Sequence, residues 1–521
     1  MSRYAGTPGL TRAALRRDRV LLAVWVAVLT AVVYASAAAT ADLYPSLAQR
    51  VAAARAINAS DAIVVLYGPI LDVRSLGELA MTKLTVLYAV AVALLVLVLV
   101  RRHTRGDEES GHAELLGGTA VGRDALLAAA LLEGALTALL VGALAAVADV
   151  AGGLPAGGSV AFGASWAGIG LVAAGLTALA CQLAASTRTC GGIASAAIAV
   201  LYALRAVGDA GPGWPAWLSP FGWSTRLRAW HEPRWWVLLL DVGLALALAA
   251  AARVLHDRRD LGSGVLPVRP GPAEGSPRLA DVFALTWRVH RAAVLAWTAS
   301  VVAMGAVLGA IAPGVGDLLD SPAGRRLLRS IGGVGALEDA LLGAVLAIAG
   351  VVVTGFGIAV VARTSTDEHD GRTEQVLATA TSRSRAFLAA VTLAVVGVAW
   401  LLAVTGLATG LGLGRDVGTL VLAGLAQAPA AWAVLGVAVL LAAVRSRWAV
   451  LGWAVLALVF VLGQLGELLR LPGWVVGLSP YTHSPAMPAE HFAARPALVL
   501  SAVSAALLAT AWWRYRRRDI G

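Results

Sequence analysis

The stretch LTVLYAVAVALLVLVLV, residues 84–100, carries no charged side chain along its whole length. An apolar run of roughly 20 residues is what a helix needs to cross about 30 Å of hydrocarbon. Runs of this kind recur about twelve times in a chain of 521 residues that is 59% apolar and only 14% charged, with a mean hydropathy of +0.78. Such a composition excludes a soluble globular protein. The sequence therefore predicts an all-α polytopic membrane protein with about twelve transmembrane helices.

The predicted spans run through the whole chain. They lie near residues 20–41, 79–100, 125–150, 161–185, 191–208, 235–252, 292–311, 339–362, 386–409, 418–443, 448–466 and 496–513. Most of the 41 Lys and Arg residues fall in the N-terminal segment, the predicted inner loops and the tail RYRRRDIG. Because loops rich in Lys and Arg stay in the cytoplasm, both termini are predicted to be cytoplasmic. The net charge of +10 then reflects topology, and no nucleic-acid partner is expected.

The two halves of the chain repeat each other. TRGDEESGHAELLGGTAVGR at 104–123 aligns without gaps with TSTDEHDGRTEQVLATATSR at 364–383, an offset of 260 residues. We call these stretches the first and second acidic segments. The motif LSPF at 218–221, in a predicted outer loop, aligns with LSPY at 478–481 at the same offset. Matching landmarks at one spacing indicate a tandem duplication.

Residues ahead of the first span of each half repeat as well. LRRDRVLLAVW at 15–25 matches WRVHRAAVLAW at 287–297, at an offset of 272 residues. Repeats with an even number of spans enter the membrane in the same direction. We therefore predict two parallel six-helix repeats, a pseudo-dimer, with a first half at 1–252, a cytoplasmic linker at 253–282 and a second half at 283–521.

Each acidic segment is predicted to follow the second span of its half on the cytoplasmic side, with Thr104 or Thr364 capping a short helix. On one helix with 3.6 residues per turn, Asp107, Gly111 and Glu114 would share a face, and the second segment repeats the pattern. Two carboxylates flanking a residue without a side chain suit the close docking of a basic partner surface. The alternative is a solvated acidic turn that shields the basic inner rim.

These features together resemble the permease subunit of an ABC-type exporter. They look most like the fused twelve-span actinobacterial permeases known as exporters of polyketide antibiotics, of the tetronasin-resistance type. In that family the loop between spans two and three is a coupling helix seated in a groove of the ATPase subunit. The resemblance implies ATPase coupling by Asp107, Glu108, Gly111, Glu114, Arg123, Asp367, Glu368, Gly371, Glu374 and Arg383. It also singles out the outer-loop motif residues Ser219, Pro220, Phe221, Ser479, Pro480 and Tyr481.

The resemblance further implies two copies of an ATPase subunit per permease, with ATP and Mg²⁺ bound by those subunits. The chain itself has no phosphate-binding loop, because that loop needs a lysine after glycine and the single lysine, Lys83, lies within an apolar span. We expect a transport subunit that is not an enzyme and binds no cofactor. Its cargo would be a hydrophobic or amphiphilic antibiotic, polyketide, drug or lipid, exported across a bacterial cytoplasmic membrane.

Glu133 and Asp241 lie within predicted spans, where a charge is costly and often functional. Glu133 and Asp241 are therefore candidates for the cargo pathway, although a structural role inside the helix bundle is the alternative. Arg205, at the outer end of the fifth span, could pair with Asp241. No metal site is expected, since the histidines are scattered and only His483 and His491 could face each other.

Two other functions remain open from the sequence. A proton-driven secondary carrier also has twelve spans in two halves, but the loop after the second span lacks the G-x-x-x-D-R-x-G-R-[RK] pattern of the major-facilitator carriers. An integral-membrane glycosyltransferase would need carboxylates on the outer face, which DAIVVLYGPILD at 61–72 and Glu338 with Asp339 supply. That third function leaves the duplication unexplained.

Overall fold

The computed structural model describes residues 2–59, 61–266, 274–279, 281–312, 334–465 and 472–519. Twelve helices within these residues are long and apolar enough to span a membrane. We label them in chain order α1 (Arg19–Leu43), α2 (Leu76–Glu109), α3 (Ala125–Ala151), α4 (Ala156–Leu183), α5 (Thr187–Ala210), α6 (Trp235–Asp257), α7 (Val282–Ala310), α8 (Glu338–His369), α9 (Arg383–Leu413), α10 (Val417–Val444), α11 (Ser446–Gly463) and α12 (Ala494–Arg517).

Every one of these helices overlaps a predicted span, so the prediction of an all-α polytopic membrane protein is confirmed. The described residues contain no strand. Shorter helices precede or connect the spans, among them an N-terminal helix, Thr7–Arg17, that leads into α1. The parallel orientation of the halves and the cytoplasmic side of the termini stay predictions.

The chain divides into two compact units, residues 1–271 and 272–521. The boundary falls inside the predicted linker, residues 253–282. In the first unit, α4 packs against α2, α3 and α6. The crossing of α3 and α4 is close: a Cβ on Gly142 would lie 2.4 Å from the carbonyl oxygen of Gly163, and a Cβ on Gly163 would lie 2.2 Å from that of Gly142. Small residues allow this approach between apolar helices.

In the second unit, α10 packs against α8, α9 and α12, while α7 lies along α9. A Cβ on Gly406 of α9 would lie 2.1 Å from the carbonyl oxygen of Leu420 in α10. The fourth span of each unit thus contacts the second, third and sixth spans of its own unit. In both units, glycines lie at helix crossings and allow the helices to approach closely.

The first outer-loop motif holds its loop against its own unit. Ser219 caps the short helix Pro220–Leu227, because its hydroxyl oxygen accepts a hydrogen bond from the Phe221 amide at 3.2 Å. Pro220 occupies the first turn of that helix, where its missing N–H is not needed. The buried Phe221 ring lies edge-on to Tyr202, with ring centroids 5.9 Å apart.

The second outer-loop motif is held by hydrogen bonds, whereas the first also makes a contact between aromatic rings. The buried Tyr481 hydroxyl lies 2.7 Å from Thr354 Oγ1 on α8, and the Ser479 hydroxyl donates to the carbonyl of Val459 on α11 at 3.0 Å. Pro480 begins the short helix that carries Tyr481. In the described structure, then, both motifs make packing contacts within their own units.

Candidate functional site

The two acidic segments share one backbone conformation. α2 ends at Glu109, Gly111 adopts a left-handed φ of +75°, and a new short helix runs over His112–Gly117. In the second segment Gly371 has a φ of +70° between α8 and the helix Arg372–Leu377. Glycine adopts this conformation without the strain of a Cβ, and it commonly ends helices in this way.

The conformation of the two segments contradicts two predictions. Asp107 and Glu114 do not share one helical face, because the left-handed Gly111 separates α2 from the next helix. Thr104 and Thr364 are not N-caps either; they lie inside α2 and α8, and their hydroxyls donate to the carbonyls of Val100 and Val361. The predicted helix starts at the threonine, whereas the membrane helix continues through that residue.

Glu108 is held by the last part of its own unit. Its carboxylate accepts two hydrogen bonds from the Arg259 guanidinium, at 2.5 and 2.9 Å, and one from Arg105 at 2.8 Å. Arg259 follows α6 and also donates to the Gln182 side chain, at the end of α4, at 2.6 Å. Both members of the Glu108–Arg259 pair are nearly inaccessible, with side chains 7% and 3% exposed. This glutamate therefore fixes the acidic segment to α4 and to the end of α6.

Glu368 makes the matching contact in the second unit. Arg518, which follows α12, donates to both carboxylate oxygens at 2.5 and 2.6 Å. Arg518 also donates to the carbonyl of Ala442, near the end of α10, at 2.8 Å. We call Glu108–Arg259 and Glu368–Arg518 the two latch pairs. Each joins the acidic segment of a unit to the ends of its fourth and sixth spans.

The aspartates differ between the units. Asp107 is buried and accepts from Arg17, in the N-terminal helix, at 2.8 Å. Asp367 is more open and accepts from Arg372 at 2.9 Å. The Asp367 carboxylate raises the pKa of the Arg372 guanidinium above its usual value through this hydrogen bond. Only the first aspartate therefore connects its segment to the N-terminal helix.

Glu114 and Glu374 are the outward-facing acids of the segments. Both are exposed, and neither carboxylate has an ion-pair partner among the described residues. Leu115, next to Glu114, is 75% exposed. Gln375 occupies the matching place in the second segment and is exposed as well. The free surface of each segment is thus its short helix after the glycine.

The arginines that end the segments also behave alike. Arg123 donates to the backbone carbonyl of Asp257, at the end of α6, at 3.3 Å. Arg383 donates to the carbonyl of Arg518, just after α12, at 3.0 Å. These side chains brace the segment against the last span of the unit instead of presenting a free cation.

Sequence reasoning missed Arg259 and Arg518, although a signal was present. Arg259 lies in RRDLG at 258–262 and Arg518 in RRDIG at 517–521, so the latch arginines belong to a further repeated motif. It follows the last span of each half, as the acidic segment follows the second. The two repeats together could have suggested the pairing.

The intramembrane acids are buried, and their surroundings differ from the prediction. Asp241 Oδ1 has no hydrogen-bond partner in the described structure, and Arg205 does not reach it. Arg205 lies instead 3.4 Å from Asp209 and donates to the carbonyl of Leu66. Asp149, near the end of α3, is a second buried carboxyl without a partner, and the sequence reasoning overlooked it. The predicted Arg205–Asp241 pair was wrong because Asp209, one helical turn from Arg205, is closer.

Glu133 lies in a group of buried side chains that the sequence did not bring together. Its neighbours are Asp18, between the N-terminal helix and α1, and His103, near the end of α2. Within the described residues this is the one group of His, Cys, Asp and Glu with a geometry that could hold a metal ion. His483 instead lies 2.9 Å from the carbonyl oxygen of Gly477.

Comparison with known proteins places these features in a family. Residues 279–516 match the family model described as "Multidrug efflux system permease Rv1217c, C-terminal domain". The chain is 38% identical over 530 residues to the multidrug efflux system permease protein Rv1217c of Mycobacterium tuberculosis (strain ATCC 25618 / H37Rv), and the alignment covers 100% of this chain and 96% of that protein. Identity at this level over nearly the full length of both chains shows that this chain belongs to the family of multidrug efflux system permeases that includes Rv1217c.

Proposed function

We propose that this chain is the transmembrane subunit of an ATP-driven ABC-type exporter, and that each acidic segment docks one copy of a separate ATPase subunit. The printed name of the relative supports efflux by a permease. ATP as the energy source comes from the resemblance of the two acidic segments to coupling helices. The observation that carries the proposal is that both segments have the same glycine turn, the same latch pair and the same exposed glutamate.

The contacts within this chain support Glu114 and Glu374 as the residues that meet the partner. Glu108 and Glu368 already bind arginines of this chain, so they are poor sites for a second cation. The exposed carboxylates of Glu114 and Glu374 have no such partner, and a basic groove would complement them. Exposed Leu115 would add apolar contact in the first segment.

The latch pairs would give such docking a mechanical consequence. A short helix pushed by a closing ATPase subunit is joined to the second span of its unit by the glycine turn. The Glu108–Arg259 pair also connects it to the end of α6 and, through Gln182, to α4. Movement of the segment would therefore reach several spans of one unit together. The difference between Leu115 and Gln375 predicts unequal contributions from the two segments.

The cargo we propose is hydrophobic or amphiphilic: an antibiotic, polyketide, drug or lipid. Support comes from the printed name of the relative, which calls it a multidrug efflux permease, and from the apolar composition of the spans. Export across a bacterial cytoplasmic membrane follows from the same resemblance.

Replacing both exposed glutamates by arginine tests the docking proposal. Glu114→Arg together with Glu374→Arg would set like charges against a basic groove, a change of about 2–5 kcal/mol for close pairs that are partly desolvated, or roughly thirty-fold to several thousand-fold in affinity. The assay is copurification of the ATPase subunit with the detergent-solubilised permease, where the original chain should retain two subunits. The double variant should still insert in the membrane but lose the ATPase and export.

A control with the same change of charge is Asp42→Arg together with Glu490→Arg. Both residues are exposed and lie in predicted outer regions, so copurification should be unchanged. If the Glu114/Glu374 variant retains its ATPase and full export, the short helices are only solvated acidic turns.

A proton-driven secondary carrier is the second candidate, favoured by the buried and unpartnered carboxyls of Asp149 and Asp241. The two functions differ in their energy source. Deleting the ATPase subunit should abolish export by an ABC-type permease, whereas a secondary carrier would continue until a protonophore collapses the proton gradient.

A further inference from the structure

Three buried side chains from different parts of the first unit converge on one point. Asp18 joins the N-terminal helix to α1, His103 lies near the end of α2, and Glu133 lies on α3. One potential ligand atom from each lies within 4.8 Å of the other two. The Asp18 and Glu133 side chains are completely buried, and the His103 side chain is 7% exposed.

Glu133 is the member that the protein leaves unsatisfied. Its Oε2 lies 3.5 Å from His103 Nε2, and neither of its oxygens has a hydrogen-bond partner in the described structure. A carboxylate buried in this way is unfavourable unless a cation or a proton accompanies it. His103 Nε2 also faces Asp18 Oδ2 at 2.7 Å, so the two carboxylates approach the same ring nitrogen.

Without a metal ion, a proton lies between His103 Nε2 and Asp18 Oδ2, and the outer groups allow an ion to replace it. His103 Nδ1 lies 3.5 Å from Asp107 Oδ2, which can accept the ring proton on that side. Histidines that bind metals usually donate their other ring N–H to a carboxylate in this manner. Asp18 Oδ1 accepts from Arg102, and Asp107 Oδ1 accepts from Arg17 at 2.8 Å. Both arginines are more than 40% exposed, so water screens their charges from Glu133.

The second unit forms its six spans without a matching trio. At the matching positions, offset by 272 or 260 residues, the second half has His290, Arg363 and Leu393. The latch pairs and glycine turns occur in both units, but three potential metal ligands occur only in the first. A group present in one copy alone points to a role beyond the shared framework.

We propose that Asp18, His103 and Glu133 form a binding site for one divalent transition-metal ion of the Zn²⁺ class. One imidazole nitrogen and two carboxylates are donors that Zn²⁺ accepts, and three protein ligands leave a position for water. The ion would neutralise the unpartnered Glu133 and connect the start of α1 to α2 and α3. Because metal ligands must be deprotonated, binding would release the proton shared by His103 and Asp18.

Metal stoichiometry and thermal stability of the full chain test this proposal. The protein is purified in detergent without a histidine tag, stripped with a chelator and dialysed against a small excess of Zn²⁺. Elemental analysis should find one ion per chain, and Zn²⁺ should raise the melting temperature because it binds the folded state. His103→Gln and Glu133→Gln should each lose the bound ion and the thermal shift.

His491→Ala is the matched control, since His491 is exposed and far along the chain from the trio; it should retain the ion. Co²⁺ provides a measurement that needs no variant, because visible absorption of bound Co²⁺ reports a four-coordinate site with nitrogen and oxygen ligands. The proposal is overturned if the original chain binds no more Zn²⁺ than a protein-free buffer blank, or if His103→Gln keeps the same stoichiometry as the original chain. In either case a proton on Glu133 would account for its burial.

Discussion

Replacing Glu108 by Gln removes the charge from the first latch pair while keeping the size of the side chain. Arg259 donates to both oxygens of Glu108 at 2.5 and 2.9 Å, and the two side chains are almost fully buried. Breaking one member of a buried pair typically costs about 3–5 kcal/mol, because the other charge stays buried. Gln retains one oxygen that can accept from Arg259. We therefore expect a loss near the lower end, about 3 kcal/mol.

This loss corresponds to a fall of roughly 6–12 °C in melting temperature, taking about 2–4 °C per kcal/mol for units of this size. The assay is thermal unfolding of the full chain in lipid nanodiscs, followed by tryptophan fluorescence. Glu114→Gln is the matched control; it makes the same substitution at an exposed acid without an ion partner, and its effect should be below about 0.5 kcal/mol.

A double-mutant cycle isolates the pair. Glu108→Gln with Arg259→Gln should be less destabilising than the sum of the single changes, with a coupling of about 1–3 kcal/mol. Glu368→Gln should cost less, about 2 kcal/mol, because both side chains of the second latch pair are 13% exposed. If Glu108→Gln melts at the temperature of Glu114→Gln, the pair does not hold the acidic segment and the reasoning fails.

Three further predictions concern substitutions at single residues. Gly111→Ala should lower the free energy of unfolding by about 1 kcal/mol, because alanine strains the left-handed backbone, and Gly111→Asn should lower it less. Gly111→Leu should match Gly111→Ala in thermal unfolding, since the space around the missing Cβ is open. If a partner lies close to this glycine, Gly111→Leu should weaken ATPase copurification more than Gly111→Ala does. Tyr481→Phe should cost about 1 kcal/mol by removing the hydrogen bond with Thr354. Burial raises the pKa of Tyr481, so the original chain should lose stability above pH of about 10, where the tyrosine of the unfolded chain ionises first. The Phe variant should lack that part of the loss when melting temperatures are measured over a series of pH values. Asp241→Asn should reduce export in a drug-accumulation assay while insertion and ATPase copurification persist, and unchanged export of every cargo tested would indicate a structural role.

The sequence alone determined the twelve spans and the fold class. Apolar runs long enough to cross a bilayer are a local property, because lipid forces every backbone group in a span into helical hydrogen bonds. Repeated motifs were also visible in the sequence, and two pairs at one offset of 260 residues predicted a duplication without any structure. Glycine at 111 and 371 was visible as a repeat, but its left-handed φ was not, and a continuous helical face was predicted in its place.

Only the tertiary structure decided which charges pair. Glu108 meets Arg259 across 151 residues, and Arg205 lies beside Asp209, not Asp241. Asp18, His103 and Glu133 come from three separate elements, and their spacing in the sequence did not predict that they lie together. Side-chain pairing inside a helix bundle depends on which faces of packed helices meet and on how far each side chain reaches. Those faces are set by packing between distant helices, and hydropathy along one helix carries no information about them.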